Sequence, residues 1–181
     1  MIQQSIAKRY AKGLFAVGEK DGRYRGYLDE LDSILGLFEK EQRLKKALML
    51  PLLEIQKRKE LLSDTIRLSN VSLPLANMLT MLLENNRMTY LPLIRDVYSD
   101  LIDDKEDRAR GIVWSAYPLE QSLKNRIEEA LKETFHKKEV ILSTIEDKSL
   151  IGGVKVAVKG TIIDGSVKKQ LETLKENILK E

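Results

Sequence analysis

The stretch of sequence that decides the fold is LIGGVKVAVKGTIIDGSVKKQL, from Leu150 to Leu171. Valine alternates with lysine and alanine from Val154 to Lys159, which is the period of a strand with one face on a core and the other in water. Lys159-Gly160 predicts a reversal of the chain, and the β-branched run from Thr161 to Ile163 predicts a short returning strand. The stretch therefore begins with a β-hairpin.

A helix is predicted directly after this hairpin. Asp164-Gly165 indicates a second turn, after which Ser166 can cap the helix by accepting a hydrogen bond from a backbone N–H. One apolar stripe is predicted to lie back on the sheet, and it consists of Val167, Leu171, Leu174 and Ile178. By pattern alone, this β-turn-β-helix unit is typical of a corner in an α+β domain.

The chain before this unit has two parts with different hydrophobic periods. Up to Arg110 apolar residues recur at helical spacing in six short segments with brief connections, and beyond Arg110 the period changes to two. We therefore predict an α+β two-domain protein, with an N-terminal six-helix bundle over residues 1–105 and a small α/β domain over residues 106–181. The charged segment from Asp103 to Arg110 is predicted to be a solvated helix end that leads into an interdomain linker.

The smaller domain is predicted to open with a strand over Gly111 to Tyr117. A helix that includes Leu123 and Phe135 follows, and a second strand is predicted over Glu139 to Ile145. The β-hairpin and the C-terminal helix then complete the domain.

Composition limits the possible functions of the protein. The 181 residues include 31 basic and 28 acidic side chains, and the net charge of +3 is too small to indicate nucleic acid or an anionic membrane as the principal partner. No apolar run reaches the roughly 18 to 20 residues that a spanning helix needs, and Lys8, Arg9 and Lys12 interrupt the N-terminal runs. Any link to a membrane is therefore expected to be indirect, through partners.

No combination of residues predicts an active site. The chain has no cysteine, and its one histidine, His136, stands beside lysines at a predicted helix end without an orienting partner. Neither a P-loop nor Gly-x-Gly-x-x-Gly occurs, and the acidic run that begins at Asp103 is interleaved with basic residues, which favours a solvated helix over a cation site. We expect no catalytic residue, no metal ligand and no cofactor.

Two features instead indicate binding to another protein. The first predicted helix, from Ile2 to Glu19, has two neighbouring apolar stripes, so it is either central in a bundle or shares its face with another chain. Met81 extends the apolar surface of the fifth helix beyond its inner stripe. The basic cluster from Lys57 to Lys59, with Glu54 and Glu60 beside it, predicts a solvated face with local ion pairs rather than a phosphate site.

Four motifs resemble the F-type ATP synthase delta subunit family, which includes the mitochondrial oligomycin-sensitivity-conferring protein. They occur in the family's order and cover essentially the whole chain, at Arg9–Phe15 (RYAKGLF), Leu82–Arg87 (LLENNR), Ser115–Leu119 (SAYPL) and Leu150–Leu171. Gly13 stands where the family motif has alanine, and glycine within a helix costs about 1 kcal/mol relative to alanine.

The resemblance implies a non-catalytic stator subunit, which links the catalytic head of ATP synthase to the peripheral stalk so that rotation is coupled to ATP synthesis and ion (proton) transport. It implies that the helical domain binds the N-terminal helix of an alpha subunit and that the smaller domain binds the b subunits. The protein is then expected at the cytoplasmic face of a bacterial cell membrane, held there by the complex, and no transit peptide is seen.

The resemblance also implies specific site residues. The groove for the alpha subunit is expected between the first and fifth helices, and its walls would be Tyr10, Ala11 and Leu14 on one side and Met78, Met81, Leu82 and Asn85 on the other. The C-terminal signature is expected to have a structural role, carried by Gly152, Gly153, Asp164, Gly165 and Ser166.

Two other classes of function remain as alternatives at this point. One is a small enzyme or nucleotide-binding domain, and the other is an RNA-binding or general scaffold protein. Proteins bound from a lysate would separate them, because subunits of the ATP synthase head support the stator and nucleic acid supports the RNA-binding alternative.

Overall fold

The computed structural model describes residues 2–50 and 53–178, which form two compact units. The first unit ends at Ile102 and the second begins at Asp103. Helices make up the first unit, and a small sheet with helices makes up the second, as the change of hydrophobic period predicts.

The described part of the first unit contains six α-helices and a 3-10 turn. The helices are α1 (Ile2–Asp21), α2 (Tyr24–Lys40), α3 (Gln42–Met49), α4 (Ile55–Leu68), α5 (Leu73–Glu84) and α6 (Leu91–Lys105), of which α6 ends within the second unit. The 3-10 turn, Met88–Tyr90, directly precedes α6. All six helices contribute to one apolar core, which includes Ala11, Leu31, Leu48, Leu62, Leu79 and Tyr98.

Arg58 on α4 is buried in this unit, with 2% of its surface exposed. Its guanidinium donates one hydrogen bond to the carbonyl of Leu48 at 2.7 Å and another to the side-chain oxygen of Asn86 at 2.8 Å. The prediction of a solvated basic face is therefore wrong for Arg58, because this position of α4 faces the end of α3 and the turn after α5. Lys57 is exposed, and Lys59 pairs with Glu84 at 2.6 Å.

The predicted solvated linker is replaced by a tight connection. Because α6 continues to Lys105 and the first strand begins at Arg108, only Glu106 and Asp107 connect them. Asp103 is buried, and its carboxylate accepts a hydrogen bond from Arg110 at 2.6 Å. The charges of this segment thus form ion pairs, in which Asp103 is buried while Arg110 and Asp104 remain largely exposed.

Asp107 is the turning point of this connection. Its backbone is left-handed, with a φ of 56°, and its carbonyl accepts a hydrogen bond from the amide of Lys138 at 2.9 Å. Its carboxylate pairs with the ammonium of Lys137 at 2.9 Å, and this hydrogen bond lowers the pKa of Asp107. These contacts join Asp107, directly before the first strand, to Lys137 and Lys138, directly before the second strand.

The second unit contains a four-stranded mixed sheet. Its elements are β1 (Arg108–Ser115), α7 (Gln121–Phe135), β2 (Glu139–Glu146), a 3-10 turn (Lys148–Leu150), β3 (Val154–Val158), β4 (Thr161–Asp164) and α8 (Val167–Ile178). The strand order is β2-β1-β3-β4, in which β1 and β2 are parallel and the other pairs are antiparallel.

The predicted first strand is displaced, because β1 starts three residues before Gly111 and stops before Tyr117. Lys159 and Gly160 join β3 to β4 with φ angles of 48° and 81°, the two positive values of a type I′ hairpin turn.

The apolar stripe of α8 does not lie on the sheet, contrary to the prediction. Val167, Leu171 and Leu174 are 37%, 53% and 57% exposed, and the fourth stripe residue, Ile178, is outside the residues whose side chains are described. The core face of the sheet is occupied instead by α7, through apolar side chains that include Ile127, Leu131 and Phe135. The helical period of α8 is as predicted, but α7 covers the face of the sheet on which the apolar stripe of α8 is predicted to lie.

Candidate partner-binding surfaces

A cavity of about 570 Å³ lies between α1 and α5. Its lining consists of Arg9, Tyr10, Gly13, Leu14 and Val17 from α1, of Leu73, Pro74, Asn77, Met78 and Met81 from α5, and of Asn85 and Arg87 after α5. Each helix contributes positions spaced i, i+1, i+4, i+5 and i+8, which is one face of a helix over about two turns. We call this cavity the α1–α5 groove.

The structure brings together most of the residues that the sequence placed in the groove. Tyr10, Leu14, Met78, Met81 and Asn85 all line it. Ala11 and Leu82 are instead fully buried in the core of the unit, because each lies one position further round its helix and faces inward.

Several lining residues were not predicted, among them Arg9, Gly13, Val17 and Arg87. Val17 could have been found by continuing the helical spacing from Tyr10, through Gly13 at i+3, to position i+7. Arg87 lies beyond the end of α5, so helical spacing gives no signal for it.

A C-terminal cap of α5 fixes the backbone of the lining residues that follow this helix, Asn85 and Arg87. Asn86 is left-handed, with a φ of 52°, and its amide donates to the carbonyl of Leu83 at 3.0 Å. The amide of Arg87 donates to the carbonyl of Leu82 at 2.7 Å, which completes a Schellman motif. The Arg87 guanidinium then reaches the hydroxyl of Tyr10 at 3.4 Å. This cap places Arg87 beside α1.

The lining of the groove is mainly apolar. Of its described lining residues, Tyr10 alone carries a hydroxyl, and none carries a carboxylate or an imidazole. Met81 is 53% exposed, and the amide of Asn85 is turned back onto the Met81 carbonyl at 2.7 Å. An open, mainly apolar face is typical of a site for an amphipathic helix.

The C-terminal signature forms a corner in which two turns touch through their backbones. Gly153 has a φ of 75°, and a Cβ at this position would lie 2.4 Å from the carbonyl oxygen of Gly165. The amide of Val167 donates to the carbonyl of Gly152 at 3.0 Å, and a Cβ on Gly152 would lie 3.2 Å from the Val167 side chain. The start of β3 and the start of α8 are therefore in direct contact.

Two side chains of the signature, Asp164 and Ser166, lie directly before α8 and accept hydrogen bonds there. The hydroxyl of Ser166 accepts a hydrogen bond from the amide of Lys169 at 3.2 Å, as predicted for a cap. The carboxylate of Asp164 accepts one from the amide of Ser166 at 3.0 Å, and hydrogen bonds from Ser166 lower the pKa of Asp164. These contacts lie within the corner itself.

The second unit also exposes apolar side chains on its sheet. Neighbouring residues of a strand point to opposite faces, so the face away from α7 carries the residues between the core positions. This face includes the exposed side chains of Ile112, Ile141, Ile145 and Ile162, and Ile112, Ala157 and Ile162 are aligned across β1, β3 and β4. Together with the stripe of α8, it is the second candidate surface for a partner.

The other sequence features are placed as follows. His136 is exposed at the left-handed C-cap of α7, with a φ of 50°. Among the described residues, no group of three or more His, Cys, Asp or Glu side chains is arranged to hold a metal ion. No helix within the described ranges combines the length and the apolar character needed to cross a membrane.

Comparison with known proteins agrees with the motifs. The model of the family described as ATP synthase delta (OSCP) subunit matches residues 6–178. The ATP synthase subunit delta of Desulfotalea psychrophila is 33% identical over 178 residues, which cover 98% of each chain. That of Clostridium beijerinckii is 31% identical over 181 residues, which cover 99% of each chain.

A solved structure shares the fold over nearly the whole chain. A chain in the mitochondrial ATP synthase hexamer of Toxoplasma gondii matches with a TM-score of 0.71 and 19% identity, over 96% of this chain and 97% of that one. The resemblance seen in the four motifs is confirmed, and the role is that of a stator subunit that is structural and not itself catalytic. The chain belongs to the ATP synthase delta (OSCP) subunit family.

Proposed function

We propose that the α1–α5 groove binds the N-terminal helix of an ATP synthase alpha subunit, and that the six helices behind it act as a single bundle. The observation that carries this proposal is the open apolar groove itself, with a volume of about 570 Å³ and with Met81 half exposed on its rim. Large apolar side chains that remain in water around a concave surface are typical of interaction sites. The occupant would attach the catalytic head to this subunit.

The dimensions of the groove suit a short amphipathic helix. The lining positions on α1 run from Arg9 to Val17, which corresponds to about 12 Å at a rise of 1.5 Å per residue. About two turns of a bound helix would fill this length, with anchors at i, i+3 or i+4, and i+7.

The b subunits of the peripheral stalk would bind the second unit. The proposal is supported by the apolar stripe of α8 and by the uncovered face of the sheet, which are both exposed. The chain would then hold the head against the stalk while the rotor turns, on the cytoplasmic face of a bacterial cell membrane that it meets only through the complex.

Binding of an alpha-subunit peptide tests the groove. The probe is a synthetic peptide of about the first 20 residues of the alpha subunit from the same organism, titrated by calorimetry. Tyr10→Ala should weaken binding by about 2 kcal/mol, roughly thirtyfold, because a central aromatic usually carries much of an interface. Met81→Asp should have a similar effect, because the bound helix would bury an unpaired charge.

The controls separate lost binding from lost folding. Leu68→Asp introduces the same charge on α4 at a side chain that is 83% exposed and outside the groove, so binding should not change. Melting temperatures are measured on every variant, because Tyr10 also packs against the core. A Met81→Asp protein that is stable and binds the peptide normally would rule out this groove.

Binding of a b-subunit fragment tests the second unit. Leu171→Asp and Leu174→Asp should weaken its binding to the full chain and leave the alpha peptide unaffected. Thr173→Asp is the matched control, since it lies on the opposite side of α8 from Leu171. If both leucine variants bind the fragment as the wild type does, the α8 stripe is not the b-subunit site.

A further inference from the structure

Neither of the two arginines at one end of the α1–α5 groove, Arg9 and Arg87, forms an ion pair with a carboxylate among the described residues. Arg9 and Arg87 both line the cavity, and the described lining contains no acidic side chain. The side-chain hydrogen bond from Arg87 within the described residues goes to the neutral hydroxyl of Tyr10, at 3.4 Å. Most of the remaining lining residues are apolar, and they lie further along the groove from these arginines.

Both arginines belong to the same end of the groove. Arg87 follows the C-terminal end of α5 and reaches Tyr10, which lies in the N-terminal half of α1 next to Arg9. The two helices therefore run antiparallel along the cavity, and its other end is formed by Val17 and Leu73. The groove is positively charged at one end and apolar at the other.

We infer that the helix bound in the α1–α5 groove carries a carboxylate beside its apolar stripe, and that this carboxylate binds Arg9 and Arg87. The inference rests on the proposed function and adds the charge that the partner must have. An apolar groove accepts many amphipathic helices, whereas two guanidinium groups at one end favour an acidic residue there and disfavour a basic one.

Arg87 is well placed for this role. The Schellman motif fixes its backbone, and the side chain of the preceding residue, Asn86, is held by the buried guanidinium of Arg58 at 2.8 Å. Because its backbone is ordered before the partner arrives, less conformational entropy is lost on binding. Its guanidinium can also present two parallel N–H groups to a carboxylate.

Three model peptides test the inference independently of the alpha subunit. They are amphipathic helices with the same apolar stripe, and they differ at one polar position beyond its end, which is Glu, Gln or Lys. The wild-type protein should bind the Glu peptide about threefold tighter than the Gln peptide at low salt, the range expected of a partly exposed ion pair, and the Lys peptide weakest. The preference should shrink at 1 M salt, where the Debye length falls to about 3 Å.

Substitutions assign the preference to the two arginines. In the double variant Arg9→Gln with Arg87→Gln the three peptides should bind alike, and Arg87→Glu should favour the Lys peptide. Arg43→Gln, at an exposed arginine on α3 outside the groove, is the matched control and should keep the wild-type order. Equal binding of the Glu and Gln peptides by the wild type, or failure of all three to bind, would overturn the inference.

The alpha-subunit peptide separates this inference from the proposed function. If the acidic model peptide binds as expected and the alpha peptide does not, the proposed function fails while the charge preference stands. If the alpha peptide binds and the double arginine variant leaves its Kd unchanged at low salt, the function stands and the inference is wrong.

Discussion

The guanidinium of Arg58 donates a hydrogen bond to the side-chain oxygen of Asn86 at 2.8 Å, which joins α4 to the turn that follows α5. A second bond from the same guanidinium, to the carbonyl of Leu48, adds the end of α3. One buried cation therefore fixes three segments of the first unit, including the turn that orients Arg87 towards the groove.

Replacing this arginine should destabilise the first unit. Arg58→Lys keeps the charge, but a single ammonium cannot reproduce the two-pronged contact, so a buried acceptor is left unpaired at a cost of about 2 kcal/mol. Urea denaturation followed by circular dichroism measures the change. Lys57→Ala, at the exposed neighbouring position, should alter stability by less than about 0.5 kcal/mol. Equal stability of the two variants would show that the buried contacts contribute little.

Two glycines of α1 should respond in opposite ways to alanine. A Cβ at Gly13 would have no atom within 4 Å, so Gly13→Ala should stabilise the helix by about 1 kcal/mol. A Cβ at Gly18 would lie 2.8 Å from the Cα of Tyr24, so Gly18→Ala should lower the melting temperature despite the same gain in helix propensity. Thermal unfolding of both variants gives the comparison, and a rise for Gly18→Ala would contradict the packing of α1 on α2.

The cap of α8 should be measurable by a single substitution. Ser166→Ala removes the acceptor for the amide of Lys169, and loss of such an N-cap costs about 1 kcal/mol. Hydrogen exchange at the Lys169 amide should become faster. Thr173→Ala, exposed in the middle of the same helix, removes a hydroxyl that is not a cap and should leave that amide protected.

The contact between Tyr27 and Asp21 should make stability depend on pH in acid. The Tyr27 hydroxyl donates a hydrogen bond to the Asp21 carboxylate, and this bond lowers the pKa of Asp21 below 3.8. A carboxyl with a lowered pKa in the folded state contributes stability above its unfolded pKa and loses that contribution as the pH falls through the folded value. Asp21→Asn and Tyr27→Phe should each reduce the loss of stability below about pH 4. Urea denaturation between pH 7 and pH 2 checks this, and an unchanged slope in both variants would contradict it.

Local features of the fold could be predicted because their determinants are adjacent in sequence. Lys159-Gly160 and Ser166 act on their immediate neighbours, and the structure has the turn and the cap there. The position of Arg58 depends on which face of α4 meets α3, and nothing near Arg58 in the sequence carries that information. The acidic residues near Arg58, which are Glu54 and Glu60, predict a solvated face instead.

The groove was predicted incompletely for a similar reason. Tyr10 and Ala11 are neighbours on α1, yet one lines the cavity and the other is fully buried. The first helix has two adjacent apolar stripes, and packing against the rest of the unit decides which of them faces inward. The stripe of α8 shows the same limit, because periodicity identifies an apolar face but not the surface that covers it.

The backbone contact between Gly153 and Gly165 has a consequence for genetics. Any side chain at position 153 would bring its Cβ to 2.4 Å from a carbonyl oxygen, so a substitution there disturbs the corner before any partner is met. Mutants selected for failure to assemble should therefore include substitutions of Gly153, because the misfolded polypeptide is lost from the cell. The phenotype of such a mutant carries no information about which surface a neighbouring subunit contacts. An immunoblot of the steady-state level would distinguish such alleles from those at Met81, where the protein should remain abundant but unattached.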